Sequence, residues 1–317
     1  MPWSAAVLSF VALACAADDS GDDAAAGTED TGSASTEAGM DDDAASTMPS
    51  TLTADSGGDE AVTTVDSDGS DGEGDGTTGA GLEPPTSVEE AIAIYGSAWN
   101  EPDPAARSAL LELVWADGGI YRDPTVVAEG AAALSDTIGG FQQAFPDAEL
   151  QIPSAVDEYG GLARFSWMIT GSQPLPGMDF VEIGDDFRIT GITGFFGELP
   201  AESEIPPALQ AYLDAWNEPD AAMRQALLAE AVTEDVHYTD PTVDAEGLDA
   251  LDSAIAGFQE SFAGSTLVAA SGLDAYGAER RYAWAIEDAD GNVTFSGIDV
   301  ARVADDGRLV RVVGFFD

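Results

Sequence analysis

The sequence predicts an α+β fold made twice, each copy placing three helices on one face of a curved antiparallel sheet. Three observations predict it. The chain repeats itself: YGSAWNEPD from Tyr95 returns as YLDAWNEPD from Tyr212, YRDPTV from Tyr121 as YTDPTV from Tyr238, GGFQQAF as AGFQESF, and TGFF as VGFF. Within each copy, helical periodicity fills the first part and strand-like segments fill the rest, and that segregation is the mark of an α+β unit. Glycine-rich turn signals then separate the strands, as hairpins require. Trp99 and Trp216 stand 117 residues apart, as do Asp123 and Asp240, whereas Asp179 and Asp299 stand 120 apart, so the second copy carries a three-residue insertion after Trp284.

The elements follow in order. Residues 88 to 100 place Ala91, Ile92, Tyr95, Ala98 and Trp99 at i, i+1, i+4, i+7 and i+8, on one side of an amphipathic helix. Asp103 caps a second helix with Pro104 at its first position and Leu110, Leu111 and Val114 on its inner side. A short strand is expected at 120 to 122. It ends at Asp123 and Pro124, because proline cannot donate to a ladder. A third helix, about residues 131 to 145, aligns Leu134, Ile138, Phe141 and Phe145. Strands are expected at 149 to 159, 162 to 170, 178 to 184 and 187 to 196, and the second copy repeats the series with DADGN as a longer hairpin turn.

Copies of about 113 residues are ordinary domain sizes, so the predicted units are 86 to 199 and 205 to 317. The connector GELPAESEIPPA holds Pro200, Pro206 and Pro207 and should be stiff. Its shortness places the two units close together. All ten basic residues are arginine against 60 acidic ones, a net charge of −50. So negative a surface repels nucleic acid and anionic membrane, which removes nucleic acid as a partner.

Residues 16 to 85 are mostly Asp, Gly, Ser, Thr and Ala. Such a segment cannot bury enough apolar surface to offset its ordering entropy and is expected to be a disordered acidic linker. The lone cysteine, Cys15, closes the apolar run AAVLSFVALA, which has the length of a signal-peptide core and is too short to span a bilayer. The string VALAC resembles a bacterial lipoprotein box. That resemblance implies a signal peptide over 1 to 15, lipidation at Cys15, and a lipid anchor as the chain's contact with membrane. Ala16, where an inner-membrane protein would carry Asp, points to the outer membrane. An ordinary cleaved signal is the alternative.

The order helix, helix, short strand ending in DP, helix, then a long sheet ending in GFF resembles the nuclear transport factor 2-like superfamily and its SnoaL-like branch. The resemblance covers nearly all of both copies. It implies a cone whose sheet curls around an apolar pocket. In the ketosteroid isomerases of that superfamily a helix tyrosine, a general-base aspartate in the DP motif and a protonated aspartate on a late strand do the chemistry. The match falls on Tyr95, Asp123 and Asp179 in the first copy and on Tyr212, Asp240 and Asp299 in the second. Polyketide cyclases of the SnoaL type use a pocket aspartate on similar enolisable substrates.

Moving a proton beside a carbonyl needs a base and donors aimed at the developing oxyanion, and these residue types supply both. The plainer reading of each is structural: a core tyrosine, an Asp-Pro turn, and a strand aspartate paired with Arg164 or Arg188. If Asp179 faces a pocket, strand alternation turns Met178 and Phe180 outward. That outer apolar face needs cover, and the other copy's sheet would provide it as an intramolecular pseudo-dimer. His237, the sole histidine, replaces Ile120 and by alternation faces away from Asp240. With one histidine and one cysteine no zinc or iron site is expected; a carboxylate calcium site is compatible with so acidic a surface but has no motif, no cofactor is expected, and no phosphate-loop, dinucleotide or nucleophile-elbow motif occurs. Two functions remain: a cofactor-free isomerase or cyclase for a small apolar carbonyl compound, or a surface-displayed module that binds an apolar ligand or a partner without chemistry.

Overall fold

The structure, a computed structural model, describes residues 83–317. Cys15, the run preceding it and nearly all of the acidic stretch lie outside the described residues. The first copy contains α1 (Val88–Asn100), α2 (Pro104–Val114), β1 (Trp115–Arg122), β2 (Val127–Glu129) and α3 (Gly130–Ala144). Five strands follow: β3 (Glu149–Gln151), β4 (Asp157–Tyr159), β5 (Leu162–Thr170), β6 (Leu175–Ile183) and β7 (Ile189–Phe196). The second contains α4 (Pro207–Asn217), α5 (Ala221–Ala231), β8 (Val232–Asp240), β9 (Val243–Glu246) and α6 (Leu248–Ser261), then β10 (Thr266–Ala269), β11 (Asp274–Tyr276), β12 (Glu279–Glu287), β13 (Val293–Val303) and β14 (Leu309–Phe316).

Each copy forms one seven-stranded sheet, ordered β2-β1-β7-β6-β5-β3 in the first and β9-β8-β14-β13-β12-β10 in the second, with β4 and β11 pairing the near ends of β5 and β12. The α+β class is as expected, with one departure from a purely antiparallel sheet. β1 runs parallel to β7, and β8 to β14. These strands return through a long crossover rather than a hairpin, and only such a connection permits parallel pairing. Two elements differ in extent from expectation. β1 begins at Trp115, five residues early, because a bulge between Trp115 and Ile120 lets the strand continue past Gly118, whose φ is +71°. The segment 149 to 159 splits into β3 and β4 around Pro153, which cannot donate to a ladder.

Local chemistry explains the helix starts. Ser87 accepts the Glu90 amide, Asp103 the Ala106 amide, and Asp220 those of Ala222 and Met223. Each sheet's inner face packs on its helices: Ile92, Leu111, Leu134 and Ile138 meet Ala163, Val181 and Ile192 in the first copy, all at most 1% exposed. The equivalent core of the second copy includes Leu228, Leu251, Ile255 and Val312.

A third apolar cluster joins the outer faces of the two sheets. Met178, Phe180 and Phe195 of the first copy pack with Val300, Val313 and Phe315 of the second. Around it the contacts are reciprocal. Tyr159 Oη donates to the carbonyls of Gly314 (2.8 Å) and Thr239 (3.2 Å), and Tyr276 Oη donates to that of Arg122 (3.5 Å). The guanidinium of Arg164 lies 5.3 Å from the Phe315 ring centroid and that of Arg281 lies 5.1 Å from that of Phe195. Arg311 pairs with Glu182 across the same seam.

Candidate functional site

Each copy gathers its tyrosine and two aspartates at one end of the helix-facing side of its sheet. Asp179 sits on β6 opposite Gly194 of β7, and Asp123, the residue after β1, lies beside the same glycine. A Cβ on Gly194 would lie 3.1 Å from Asp179 Oδ1 and 3.5 Å from Asp123 Cβ; on Gly314 the equivalent distances are 3.2 Å to Asp299 Oδ1 and 3.4 Å to Asp240 Cβ. The glycine of the repeated GFF motif thus provides the space in which two carboxylates meet. The phenylalanine after it faces the seam and the next one packs inward, where Phe196 meets Trp167 and Phe316 meets Trp284.

The DP aspartates are tightly held. Asp123 Oδ1 accepts from the Thr125 amide (2.7 Å), Thr125 Oγ1 (2.6 Å) and the Val126 amide (2.9 Å), while Oδ2 accepts from Tyr121 Oη (2.9 Å). Asp240 repeats the pattern with Thr242, Val243 and Tyr238, the last at 2.6 Å. One oxygen therefore fixes the turn, and the other keeps a lone pair beyond its tyrosine bond.

The strand aspartates are more deeply buried, at 4% and 6% exposure. Trp167 Nε1 donates to Asp179 Oδ1 and Trp284 Nε1 to Asp299 Oδ1, both at 2.7 Å. The indoles reach because each lies flat over a glycine: a Cβ on Gly177 would be 2.1 Å from Trp167 Cζ2, and one on Gly297 would be 2.4 Å from Trp284 Cζ2. Burial pushes both carboxyls up to about 7, the neighbouring aspartate adding to the rise and the tryptophan and tyrosine bonds opposing it. Near neutral pH each exchanges between an acid that donates and a carboxylate that only accepts. Neither pairs with arginine. Arg164 bonds Asp157 and Asp317, and Arg188 bonds the Glu112 carbonyl.

The second donor differs between copies. Tyr95 Oη donates to Asp179 Oδ2 at 3.3 Å, whereas Asp299 Oδ2 receives Tyr282 Oη at 2.7 Å. Tyr212 Oη, buried, donates to no acceptor; the Trp216 indole beside it offers only an N–H, itself a donor. Burial raises the Tyr95 and Tyr212 hydroxyls well above the usual phenol range, so both remain protonated donors.

Tyr212, Asp240 and Asp299 line one cavity of about 670 Å³ in the second copy, walled by Trp216, Phe258, Phe262, Trp284, Phe295 and Phe316 among others. Aromatic walls with a few converging polar groups are the usual form of a small-molecule site. His237 lies elsewhere, with Nε2 2.6 Å from Asp244 Oδ1. No cluster of His, Cys, Asp and Glu among the described residues is arranged to hold a metal.

Tyr121, Tyr238, Tyr282, Trp167 and Trp284 are not among the site residues expected from the sequence. Period-two alternation was the available signal for the first pair, since a tyrosine two residues before a strand-end aspartate shares its face. The tryptophan contact depends on strand register, which no single segment reveals.

Residues 209–312 match the family model of the SnoaL-like domain. Through its second copy the chain belongs to the SnoaL-like family. An Agrobacterium tumefaciens protein whose name places it, provisionally, as an isomerase of the SnoaL-like family is 34% identical, over 35% of this chain and 94% of its own, with a TM-score of 0.34. A provisionally named SnoaL-like polyketide cyclase from Jannaschia sp. CCS1 is 14% identical over 37% of this chain and 91% of its own, with a TM-score of 0.29. A provisionally named ketosteroid isomerase from Kribbella flavida is 23% identical over 38% and 82%, also at 0.29. No curated protein matches. In this SnoaL-like chain the matched segment contains the whole Tyr212, Asp240 and Asp299 constellation.

Proposed function

We propose that the second copy binds a small, largely apolar molecule carrying a carbonyl or enol oxygen, and that it moves a proton on that molecule without a cofactor. The carrying observation is the single aromatic cavity onto which Tyr212, Asp240 and Asp299 converge. Asp240 takes the proton through Oδ2, the oxygen not spent on the turn. Tyr212 and the acid form of Asp299 face the oxygen where charge develops. Such an assignment makes the reaction an isomerisation or cyclisation, with Tyr95, Asp123 and Asp179 as the matching set in the first copy. The sequence adds export, lipidation at Cys15 and display from the outer membrane on an acidic spacer, and it adds the seam between the sheets as an intramolecular pseudo-dimer.

One observation favours a second reading. Four hydrogen bonds already satisfy Asp240, which suits a structural turn beneath a pocket that binds and does no chemistry. Deuterium exchange at the carbon beside the carbonyl of 2-tetralone, an apolar bicyclic ketone, separates the two. Proton transfer requires Asp240→Asn combined with Asp123→Asn, which removes the base of both copies, to lower the catalysed rate by about 10²–10⁴-fold. An unchanged rate with retained tetralone binding leaves the binding reading, and absence of tetralone binding overturns both.

A further inference from the structure

We infer that the side chain at the strand position shared by Phe165 and Tyr282 decides whether the helix tyrosine of its copy is tied to the buried aspartate or free to donate to a ligand oxygen. The inference rests on the pocket reading above and adds to it a division of labour between the copies. Phe165 pairs in register with Asp179 across β5 and β6, and Tyr282 pairs with Asp299 across β12 and β13. Residues directly opposite on neighbouring strands share a face and touch. Phenylalanine offers no donor, so Asp179 Oδ2 draws its second hydrogen bond from Tyr95, at a long 3.3 Å. Tyr282 supplies that bond itself at 2.7 Å, and with Trp284 on the other oxygen Asp299 has a donor on each side.

Tyr212 is thereby released. Its hydroxyl is buried, without an acceptor for its proton, and on the cavity wall. A buried O–H that finds no acceptor is destabilising, and a ligand acceptor removes that penalty on arrival. A second difference points the same way. The Tyr95 ring stacks on Trp115, with centroids 6.1 Å apart at 25°, where the second copy has the smaller Val232. The first copy therefore clamps its tyrosine from two sides, by carboxylate and by indole. Tyr282 is a positioning residue: it acts on the ligand through Tyr212, and the ligand class is an apolar molecule with one exposed oxygen acceptor.

The full chain labelled with ¹³C at tyrosine Cζ tests this, each of its seven tyrosines being assignable by single phenylalanine substitutions. The Cζ resonance reports whether a phenol donates to a carboxylate. Tyr282→Phe is expected to move the Tyr212 resonance from the unbonded position to that of Tyr95. Phe165→Tyr is expected to move Tyr95 the opposite way. With 2-naphthol as probe, the wild-type chain should shift Tyr212 and leave Tyr95 in place, and Tyr282→Phe should weaken the probe about tenfold, equivalent to one interaction of about 1.4 kcal/mol. A Tyr212 resonance that ignores Tyr282→Phe overturns the inference. If that variant does not fold, a Tyr95 resonance unmoved by Phe165→Tyr does so instead. Resonances that respond as expected while naphthol shifts no tyrosine uphold the switch and sink the pocket reading.

Discussion

Asp179 and Asp299 bind their protons more tightly in the folded chain than in the unfolded one, since burial lifts each carboxyl from 3.8 to about 7. The sign follows from linkage. Where the folded form holds more protons, stability falls as pH rises. Their contribution is therefore complete below about pH 4 and is lost as pH climbs through about 7. Tm should fall by roughly 5–10 °C between pH 5 and pH 8. Asp179→Asn with Asp299→Asn should flatten that slope, because an amide resembles the neutral acid and does not ionise. A slope unchanged in the double variant would place these titrations elsewhere among the many acidic residues.

The stacking of an indole over a glycine belongs to the strand pair, not to either residue alone. Trp167 can reach Asp179 only because β6 presents Gly177 beneath the ring, with Asp179 two residues further along the same face. Gly177→Ala must expel the indole. Overpacking costs about 1–3 kcal/mol, and the lost hydrogen bond to a buried carboxyl adds to it. Gly140→Ala is the contrasting case: it lies in α3 with nothing within 4 Å of an added Cβ. There alanine should stabilise by about 0.5–1 kcal/mol through helix propensity. Urea denaturation of the two variants should show midpoints displaced in opposite directions. A Gly177→Ala chain as stable as wild type would mean that the ring does not lie where described.

For the whole molecule, the final strand of each copy serves two places. Gly314 gives room to Asp299 and Asp240 on the inner face and offers its carbonyl to Tyr159 of the first copy on the other. Phe315, 1% exposed, fills the seam with Phe180 and Tyr159. Phe315→Asp buries an unpaired charge there, a change that costs several kcal/mol. Two copies that share this cluster should unfold together in the wild-type chain. In the variant, calorimetry should resolve two transitions where there was one. A single transition retained at the same temperature would show that the seam contributes little.

The sequence by itself determined the repeat, the α+β class, the three helices with the Asp103 cap of the second, and the positions of Tyr95, Asp123 and Asp179 with their second-copy equivalents, because periodicity, turn chemistry and residue identity are local properties. It also implied that Met178 and Phe180 would need cover once Asp179 turned inward. Tertiary structure decided which donors meet which carboxyl: Trp167 rather than arginine on Asp179, and Tyr282 rather than Tyr212 on Asp299. Those pairings depend on the register of strands a dozen or more residues apart and on two glycines that leave space for rings and carboxylates. Two copies with the same tyrosine and aspartates accordingly carry different hydrogen bonds. The single exchange of Phe165 for Tyr282 has that effect only because β-sheet register sets it opposite the buried acid.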